Sequence, residues 1–478
     1  IIVWVVRQKQ NDSADYFLGG RDATWLAIGA SIFASNIGSE HLIGLAGAGA
    51  SSGMAMAHWE IQGWMILILG WVFVPFYTRS MVYTMPEFLE RRYNPQSRTI
   101  LSVISLVSYV LTKVAVTVYA GGLVFQQVFG IKELWGIDFF WIAAIGLVVL
   151  TALYTIFGGM KSVLYTSVLQ TPILLLGSLI ILVLGFKELG GWDEMMRVCG
   201  AVTVNDYGDS MTNLIRSNDD ANFPWLGALI GSAIIGFWYW CTDQFIVQRV
   251  LSGKNEMEAR RGTIFGAYLK LLPVFLFLIP GMIAFALHQK YIGAGGEGFL
   301  PMLANGTANA DAAFPTLVAK LLPAGVKGLV VCGILAALMS SLASLFNSSA
   351  MLFTIDFYKR FRPETPEKKL VGIGQVATVV IVILGILWIP IMRSVGDVLY
   401  TYLQDVQSVL APGIAAAFLL GICWKRTSAQ GGMWGLIAGM VIGLTRLGAK
   451  VYYSNAGEVA DSTFKYLFYD MNWLFFCG

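Results

Sequence analysis

Residues 24–51 read TWLAIGASIFASNIGSEHLIGLAGAGAS. This stretch is long enough to cross a bilayer, whose hydrocarbon core takes about 20 helical residues. Its middle, however, carries Asn36, Gly38, Glu40 and His41, which a continuous helix in lipid has no reason to contain. Freed backbone groups survive inside a membrane only where they line a cavity or are packed in protein, so the pattern predicts a broken helix at a binding site. A small-residue helix packed against its neighbours would explain the glycines and serines, but not three strongly polar side chains within six residues.

The rest of the chain has the composition of a membrane protein. Of 478 residues, 56% are hydrophobic and 13% are charged, about half the charged fraction of a soluble protein. Apolar runs near 20 residues recur throughout, which predicts a multi-pass helical protein of the plasma or inner cell membrane. A net charge of +3 with no long basic tract gives no reason to expect nucleic acid as a partner. Three histidines and five scattered cysteines form no metal-binding or nucleophile–base pattern, so an enzyme is not expected.

The spacing of the apolar runs predicts two halves of five spans each. The first five are expected at 24–51, 55–77, 99–129, 139–157 and 162–186, and the second five at 224–248, 263–288, 325–357, 370–392 and 397–422. Flanking spans are expected at 428–449 and from near 466. An odd number of spans per half makes the two halves insert in opposite directions, as in an inverted repeat. The fold class expected is therefore an all-α membrane protein with an inverted repeat of five plus five helices and flanking helices.

Domain boundaries follow from the same pattern. We expect the end of a flanking helix and a cytoplasmic loop at 1–23, the first repeat at 24–186, an extracellular loop at 187–223, the second repeat at 224–422, and flanking helices at 423–478. Apolar residues at both ends of the chain suggest that it is truncated there. By symmetry, the sixth span should be interrupted like the first, near the aromatic-then-polar run 237–244. Between 289 and 324, the part from 311 to 322 is expected to form a short surface helix.

Lysine and arginine set the orientation. With residues 8–23 placed inside and the spans alternating, 19 of the 32 basic residues fall on the inner side. The positive-inside rule therefore assigns that side to the cytoplasm and places the acidic loop 187–223 outside.

Two adjacent hydroxyls indicate an ion site. Ser340 and Ser341 lie in the middle of the eighth span, where they supply neutral oxygens, and the break in the first span supplies backbone carbonyls. A small hard cation prefers oxygen ligands, and without a carboxylate the set suits Na⁺ better than Ca²⁺. Hydroxyls in membrane helices usually bond to their own backbone, so it is their combination with the broken helix that favours an ion site.

Ionisable residues within the spans indicate a solute site. Glu60 lies in the second span and Lys270 in the seventh, and such residues face a partner or a wet cavity. A purely structural Glu60–Lys270 ion pair is the alternative. Donors and acceptors of low net charge, combined with flat aromatic faces, suit a neutral polyhydroxylated ring. The candidate residues are Asn36, His41, Glu60, Tyr239, Trp240, Lys270 and Gln404.

Several motifs carry a family resemblance. The chain resembles the solute:sodium symporter family, and the sodium–glucose cotransporters within it are the most similar. The motifs are DYFLGGR (15–21), ASNIGS (34–39), TMPEF (84–88), YTIFGG (154–159), WYWCTDQ (238–244), and FLLG (418–421) with WKR (424–426). The resemblance covers nearly the whole chain and implies a LeuT-type fold that works by alternating access.

The resemblance also implies roles for individual residues. It assigns sugar contacts to the seven candidates above, with Tyr239 as an inner gate, and an ion pair to Asp243 and Arg249. It assigns Na⁺ to the carbonyls of Ala34, Ile37 and Ala337 and the hydroxyls of Ser340 and Ser341.

The chain departs from the family pattern at four positions. Ser167 stands where relatives generally carry aspartate, and Ala343 stands where two-sodium cotransporters carry threonine. Without those oxygens a second sodium site is not expected, so we predict one Na⁺ per sugar. Gly236 and Thr401 replace larger or charged groups near the sugar, which leaves the hexose open.

The sequence thus predicts a Na⁺-coupled symporter of a neutral hexose, glucose or galactose first. A myo-inositol or acidic-sugar symporter is the alternative within the same class, and a sugar-sensing membrane module or a channel is the alternative from another class. The expected partners are the sugar, Na⁺ and the lipid bilayer, with the protein a monomer or weak homodimer.

Overall fold

The computed structural model describes residues 12–38, 40–303, 306–395, 399–455 and 462–477. Within these ranges seven helices are long and apolar enough to cross a membrane. They are Gly53–Ser80, Phe139–Leu189, Trp225–Thr242, Glu256–Gly293, Ala324–Phe361, Glu367–Pro390 and Ala429–Lys450, and three shorter apolar helices are Trp25–Asn36, Ala115–Phe129 and Gln407–Cys423.

Shorter segments complete the bundle. The remaining α-helices are Ser13–Leu18, Ala46–Ser51, Met85–Arg92, Pro95–Ser108, Trp192–Gly200, Gln244–Leu251, Ala313–Leu321, Thr463–Lys465 and Trp473–Cys477. Glu367–Val395, Leu399–Cys423 and Ala429–Asn455 are the full bounds of the last long helices. π-Helical turns interrupt or extend several helices at Glu40–Leu45, Leu69–Phe73, Tyr109–Val114, Phe237–Thr242, Val274–Leu278, Leu352–Tyr358 and Tyr466–Asp470. One antiparallel hairpin joins Glu133–Leu134 to Ile137–Asp138.

The first and sixth spans are both broken, as predicted. In the first, helix Trp25–Asn36 ends at Ile37, whose backbone is extended (φ −79°, ψ 96°). In the sixth, a π-helical turn ends at Asp243, which is also extended (φ −73°, ψ 128°), before helix Gln244–Leu251 begins. We call residues 25–51 the first broken helix and residues 225–251 the second broken helix.

Helix Phe139–Leu189 contains two spans. Its 51 residues would extend roughly 76 Å at 1.5 Å per residue, more than twice the hydrocarbon core of about 30 Å. The backbone leaves helical geometry at Gly159 (φ 53°, ψ −150°). The expected division into spans 139–157 and 162–186 is therefore confirmed, with the break between them.

A close backbone seam holds the outer half of the first broken helix. A Cβ atom at Gly49 would collide with the carbonyl oxygen of Leu278, and a Cβ at Gly281 would collide with that of Ala46. Only glycine allows two backbones to approach this closely. Residues 46–51 and the start of helix Ile279–Gly293 therefore pack against each other without intervening side chains.

The helix expected at 311–322 forms at Ala313–Leu321, but it is buried rather than on the surface. Helix Ala313–Leu321 buries Phe314, Leu317 and Val318 almost completely. Burial also raises the pKa of the Asp311 carboxyl, at the start of this segment, to about 6. The apolar face made the helix a part of the core, which length and loop position alone did not indicate.

Candidate solute and ion site

The break in the first helix contacts the eighth-span serines. The Ser341 hydroxyl donates to the carbonyl oxygen of Ser35 at 2.7 Å. The Ser35 and Ser344 hydroxyls are 2.7 Å apart. A Cβ at Gly38 would lie 2.7 Å from Ser341 Oγ, so a glycine is needed for the two chains to approach. The break in the first helix and the serines of the eighth span therefore lie next to each other, as the sequence predicts.

The other expected ion ligands are also buried. Ala34, Ile37, Ala337 and Ser340 are each at most 1% exposed. Among the described residues, no group of three His, Cys, Asp or Glu side chains could hold a metal ion. The expected donors are neutral carbonyl and hydroxyl oxygens, a set that suits a monovalent cation.

Lys270 lies at the centre of a buried polar cluster. It follows helix Glu256–Leu269 directly, where the chain turns before Pro273. Its Nζ atom is 2.7 Å from Glu60 Oε2, 2.7 Å from His41 Nε2 and 2.5 Å from Asn36 Oδ1. His41 Nε2 also lies 3.2 Å from Glu60 Oε1. The cluster thus joins four residues that the sequence proposed for solute binding.

Aromatic rings form one wall of this cluster. Asn36 Nδ2 donates to the Tyr239 hydroxyl at 2.9 Å. The rings of Tyr239 and Trp240 meet edge to face, 4.8 Å between centroids. Lys270 Nζ is 5.5 Å from the centroid of the Trp240 ring. The π-helical turn at 237–242 therefore presents flat apolar surface beside hydrogen-bonding groups, as a sugar-like ring requires.

A small cavity opens within the cluster. Its volume is about 40 Å³, little more than the roughly 30 Å³ that one water occupies in the liquid. Two polar atoms in its wall, His41 Nδ1 and Gln62 Oε1, are buried without a hydrogen-bond partner in the part of the chain that the structure describes. The cavity is lined by Asn36, Glu40, His41, Trp59, Glu60, Gln62, Ile235, Tyr239, Trp240, Lys270 and Gln407.

The structure adds residues that the sequence did not assign. Glu40 and Gln62 face the cavity, and so does Gln407. Gln407 lies one helical turn beyond Gln404, whose side chain falls outside the described residues. The i, i+3 relation between the two glutamines was visible in the sequence, and it could have suggested Gln407 as well.

The expected Asp243–Arg249 ion pair is wrong. Asp243 Oδ2 accepts instead from Lys113 Nζ at 2.6 Å. Arg249 Nε donates to Ser35 Oγ at 3.0 Å. Asp243 caps helix Gln244–Leu251, and residues six apart on a helix point to different faces. Arg249 therefore reaches the first broken helix rather than Asp243.

Lys113 places a buried charge beneath the aromatic wall. It lies in the π-helical turn Tyr109–Val114 and is 4% exposed. Its Nζ atom is 4.6 Å from the centroid of the Tyr239 ring. The Tyr109 hydroxyl donates to Asp243 Oδ1. Tyr239, the proposed inner gate, thus lies beside the Lys113–Asp243 ion pair, which links the third and sixth spans.

Comparison with known proteins identifies the family. The model of the sodium:solute symporter family matches residues 16–439. The chain belongs to this family. Its members, as the name states, couple a solute to sodium. In agreement with the seven candidate spans among the described residues, the chain is a multi-pass membrane protein.

Relatives of this chain are named as inositol cotransporters. The human sodium/myo-inositol cotransporter 2 is 39% identical over 455 residues, which cover 92% of this chain and 66% of the human protein. The dog sodium/myo-inositol cotransporter is 39% identical over 463 residues, covering 92% of this chain and 64% of that protein. The chain spans about two thirds of the length of these relatives.

Solved structures confirm the fold. A Na⁺-coupled sialic acid symporter in a substrate-bound outward-open state matches with a TM-score of 0.79 at 22% identity, covering 100% of this chain and 91% of that one. The nucleobase-cation-symport-1 family transporter Mhp1 matches with a TM-score of 0.53 at 14% identity, covering 93% and 96%. The expected LeuT-type fold is confirmed by these neighbours.

Proposed function

We propose that this chain forms the core of a Na⁺-coupled symporter for myo-inositol that works by alternating access. The observation that carries the proposal is the buried cluster around Lys270. It offers unpartnered polar atoms, His41 Nδ1 and Gln62 Oε1, in the wall of a cavity that also has aromatic faces. Buried polar groups without partners are costly, and the hydroxyls of a polyol ring would satisfy them once the cluster opens beyond its closed volume of about 40 Å³.

The charge balance of the cluster favours a neutral solute. Lys270 already lies 2.7 Å from the Glu60 carboxylate. An acidic sugar would have to displace that carboxylate and leave it buried without its partner, which is strongly unfavourable. The acidic-sugar alternative is therefore less well supported than a neutral ring.

Between neutral rings, the relatives favour the polyol. Two named relatives at 39% identity are sodium/myo-inositol cotransporters. The sequence placed glucose or galactose first, and we now rank them second. Both kinds of solute present equatorial hydroxyls to the same donors and acceptors, so the ranking calls for a direct competition.

Uptake into proteoliposomes tests the solute. Purified protein with an inward Na⁺ gradient is expected to accumulate labelled myo-inositol, and equal Na⁺ on both sides is expected to remove accumulation. Unlabelled myo-inositol should compete at least tenfold better than glucose or galactose, with sialic acid without effect. Preferred uptake of glucose or galactose would favour the hexose symporter that the sequence predicts. Inositol flux that never exceeds equilibrium would indicate a channel instead.

Sodium coupling is proposed to use a single ion. Ser167 Oγ donates to the Val163 carbonyl at 2.6 Å and lies 3.2 Å from Ser340 Oγ. Ala343 presents only a buried methyl group. Position 167 thus lacks the carboxylate, and position 343 the hydroxyl, that a second sodium would need. One charge crossing about 100 mV contributes roughly 2.3 kcal/mol, and a tenfold Na⁺ gradient adds about 1.4 kcal/mol, enough for a few hundredfold accumulation.

The ratio of charge to solute checks this stoichiometry. Simultaneous measurement of current and labelled inositol in voltage-clamped membranes is expected to give one charge per molecule. The paired change Ser167→Asp with Ala343→Thr should move the ratio toward two, because it supplies the missing oxygens. A ratio of two in the unmodified protein would contradict the single-ion proposal.

A further inference from the structure

A second, much larger cavity lies on the outside of the bundle, away from the solute site. It has a volume of about 940 Å³ and lies between the third span, the end of helix Ala324–Phe361 and helix Glu367–Val395. We call it the outer groove. Its walls are almost entirely apolar, with Val107, Phe353, Val376 and Val380 exposed along it.

The outer groove is long enough to span the hydrocarbon of one bilayer leaflet. It runs along one helix from Lys369 to Leu384, which is roughly 22 Å at 1.5 Å per residue. One leaflet contributes about 15 Å of hydrocarbon, half of the core of about 30 Å. The groove therefore has the depth of a fully extended acyl chain together with the glycerol region above it.

Basic residues crowd the open end of the outer groove. The segment 358–369 contains five basic and two acidic residues. Glu367 is already paired with Lys359 at 2.9 Å. Within the described ranges, Lys369 at the mouth forms no ion pair with an acidic side chain. The positive-inside pattern places this end at the cytoplasmic surface, where membranes carry anionic lipids.

We propose that the outer groove is a binding site for an anionic phospholipid of the cytoplasmic leaflet. One acyl chain lies between the three helices, and the headgroup phosphate pairs with Lys369. The hydroxyl-bearing ring of Tyr358, which also lines the groove, suits the interface between headgroup and hydrocarbon. A lipid satisfies both the apolar walls and the unneutralised charge, whereas an apolar partner helix would leave Lys369 without a counterion.

Native mass spectrometry of the purified protein tests the site. Protein in mild detergent is titrated with phosphatidylglycerol or phosphatidylcholine of matched chains. We expect one phosphatidylglycerol retained per protein. Gly372→Phe fills the groove without a clash, since nothing lies within 4 Å of a Cβ there, and should reduce retention tenfold or more. Gly435→Phe is the matched control, because it is equally open but lies outside the groove.

A second variant separates headgroup from chain. Lys369→Gln should lower the preference for phosphatidylglycerol over phosphatidylcholine about fivefold, which corresponds to about 1 kcal/mol. Lys425→Gln, another exposed lysine assigned to the cytoplasmic side, should leave the preference unchanged. Equal lipid retention in the Gly372→Phe and unmodified proteins would overturn the proposal. So would an unchanged preference in Lys369→Gln, or a protein dimer that only Gly372→Phe disrupts.

Discussion

Lys270→Met is expected to abolish Na⁺-driven myo-inositol uptake, by a factor of roughly 100 or more. The ammonium group lies at the centre of the cluster, within 2.7 Å of Glu60 and of His41. Hydrogen bonds to charged groups contribute about 1.5–3 kcal/mol each, so losing two of them at the solute corresponds to at least a hundredfold. Initial uptake rates in proteoliposomes measure the effect. Lys320→Met is the control, because this lysine donates to the Phe299 carbonyl and does not line the cavity.

A double variant distinguishes solute binding from a structural ion pair. Lys270→Met alone leaves Glu60 buried without its partner, which costs about 3–5 kcal/mol of folding stability. Glu60→Gln combined with Lys270→Met removes both charges, so thermal stability should largely recover while uptake stays lost. If the double variant recovered transport together with stability, the pair would be structural only, and the solute assignment would be wrong.

Replacing Ser340 and Ser341 together by alanine is expected to raise the Na⁺ concentration for half-maximal uptake about a hundredfold or more. Each hydroxyl oxygen that contacts the cation is expected to contribute about 1.5–3 kcal/mol, as for other contacts to charged groups. Ser341 already lies against the broken backbone at Ser35, where the proposed carbonyl ligands are. Na⁺ titration of initial inositol uptake measures the change.

Ser349→Ala is the matched control for the sodium experiment. Ser349 lies on the same helix and is fully buried, and its hydroxyl has no hydrogen-bond partner among the described residues. Its removal should leave the Na⁺ dependence unchanged. Unaltered Na⁺ affinity in the Ser340/Ser341 double variant would place the ion elsewhere.

The broken helices were predictable because lipid penalises polar side chains and open backbone. Asn36, Gly38 and His41 marked the first break, and the aromatic-then-polar run before Asp243 marked the second, without any tertiary information. The same reasoning predicted the buried polar cluster around Lys270, since Glu60 and Lys270 have few places in a membrane where they can be paired. The sequence alone could not predict which neutral ring is the substrate, because similar rings form similar hydrogen bonds.

Pairings between distant spans were not predictable in the same way. Asp243 was assigned to a residue nearby in sequence, yet its partner Lys113 is 130 positions away. Which face of the third span meets the sixth depends on how all the helices pack, and a single sequence carries no record of that packing. Gln62 and Gln407 were overlooked for a related reason. Neutral amides in a span are less conspicuous than charges, although they line the same cavity.

The backbone seam between residues 46–51 and the start of helix Ile279–Gly293 has a mechanical consequence. Carbonyl oxygens on each side occupy the space where Cβ atoms would lie on the other, so neither segment can slide without losing that fit. The two segments therefore form one rigid unit. Ser35 lies inward of this unit on the first broken helix, and Lys270 lies inward of it on the seventh span. In the proposed alternating-access cycle, a displacement of this unit would act on the proposed ion site and on the proposed solute site together.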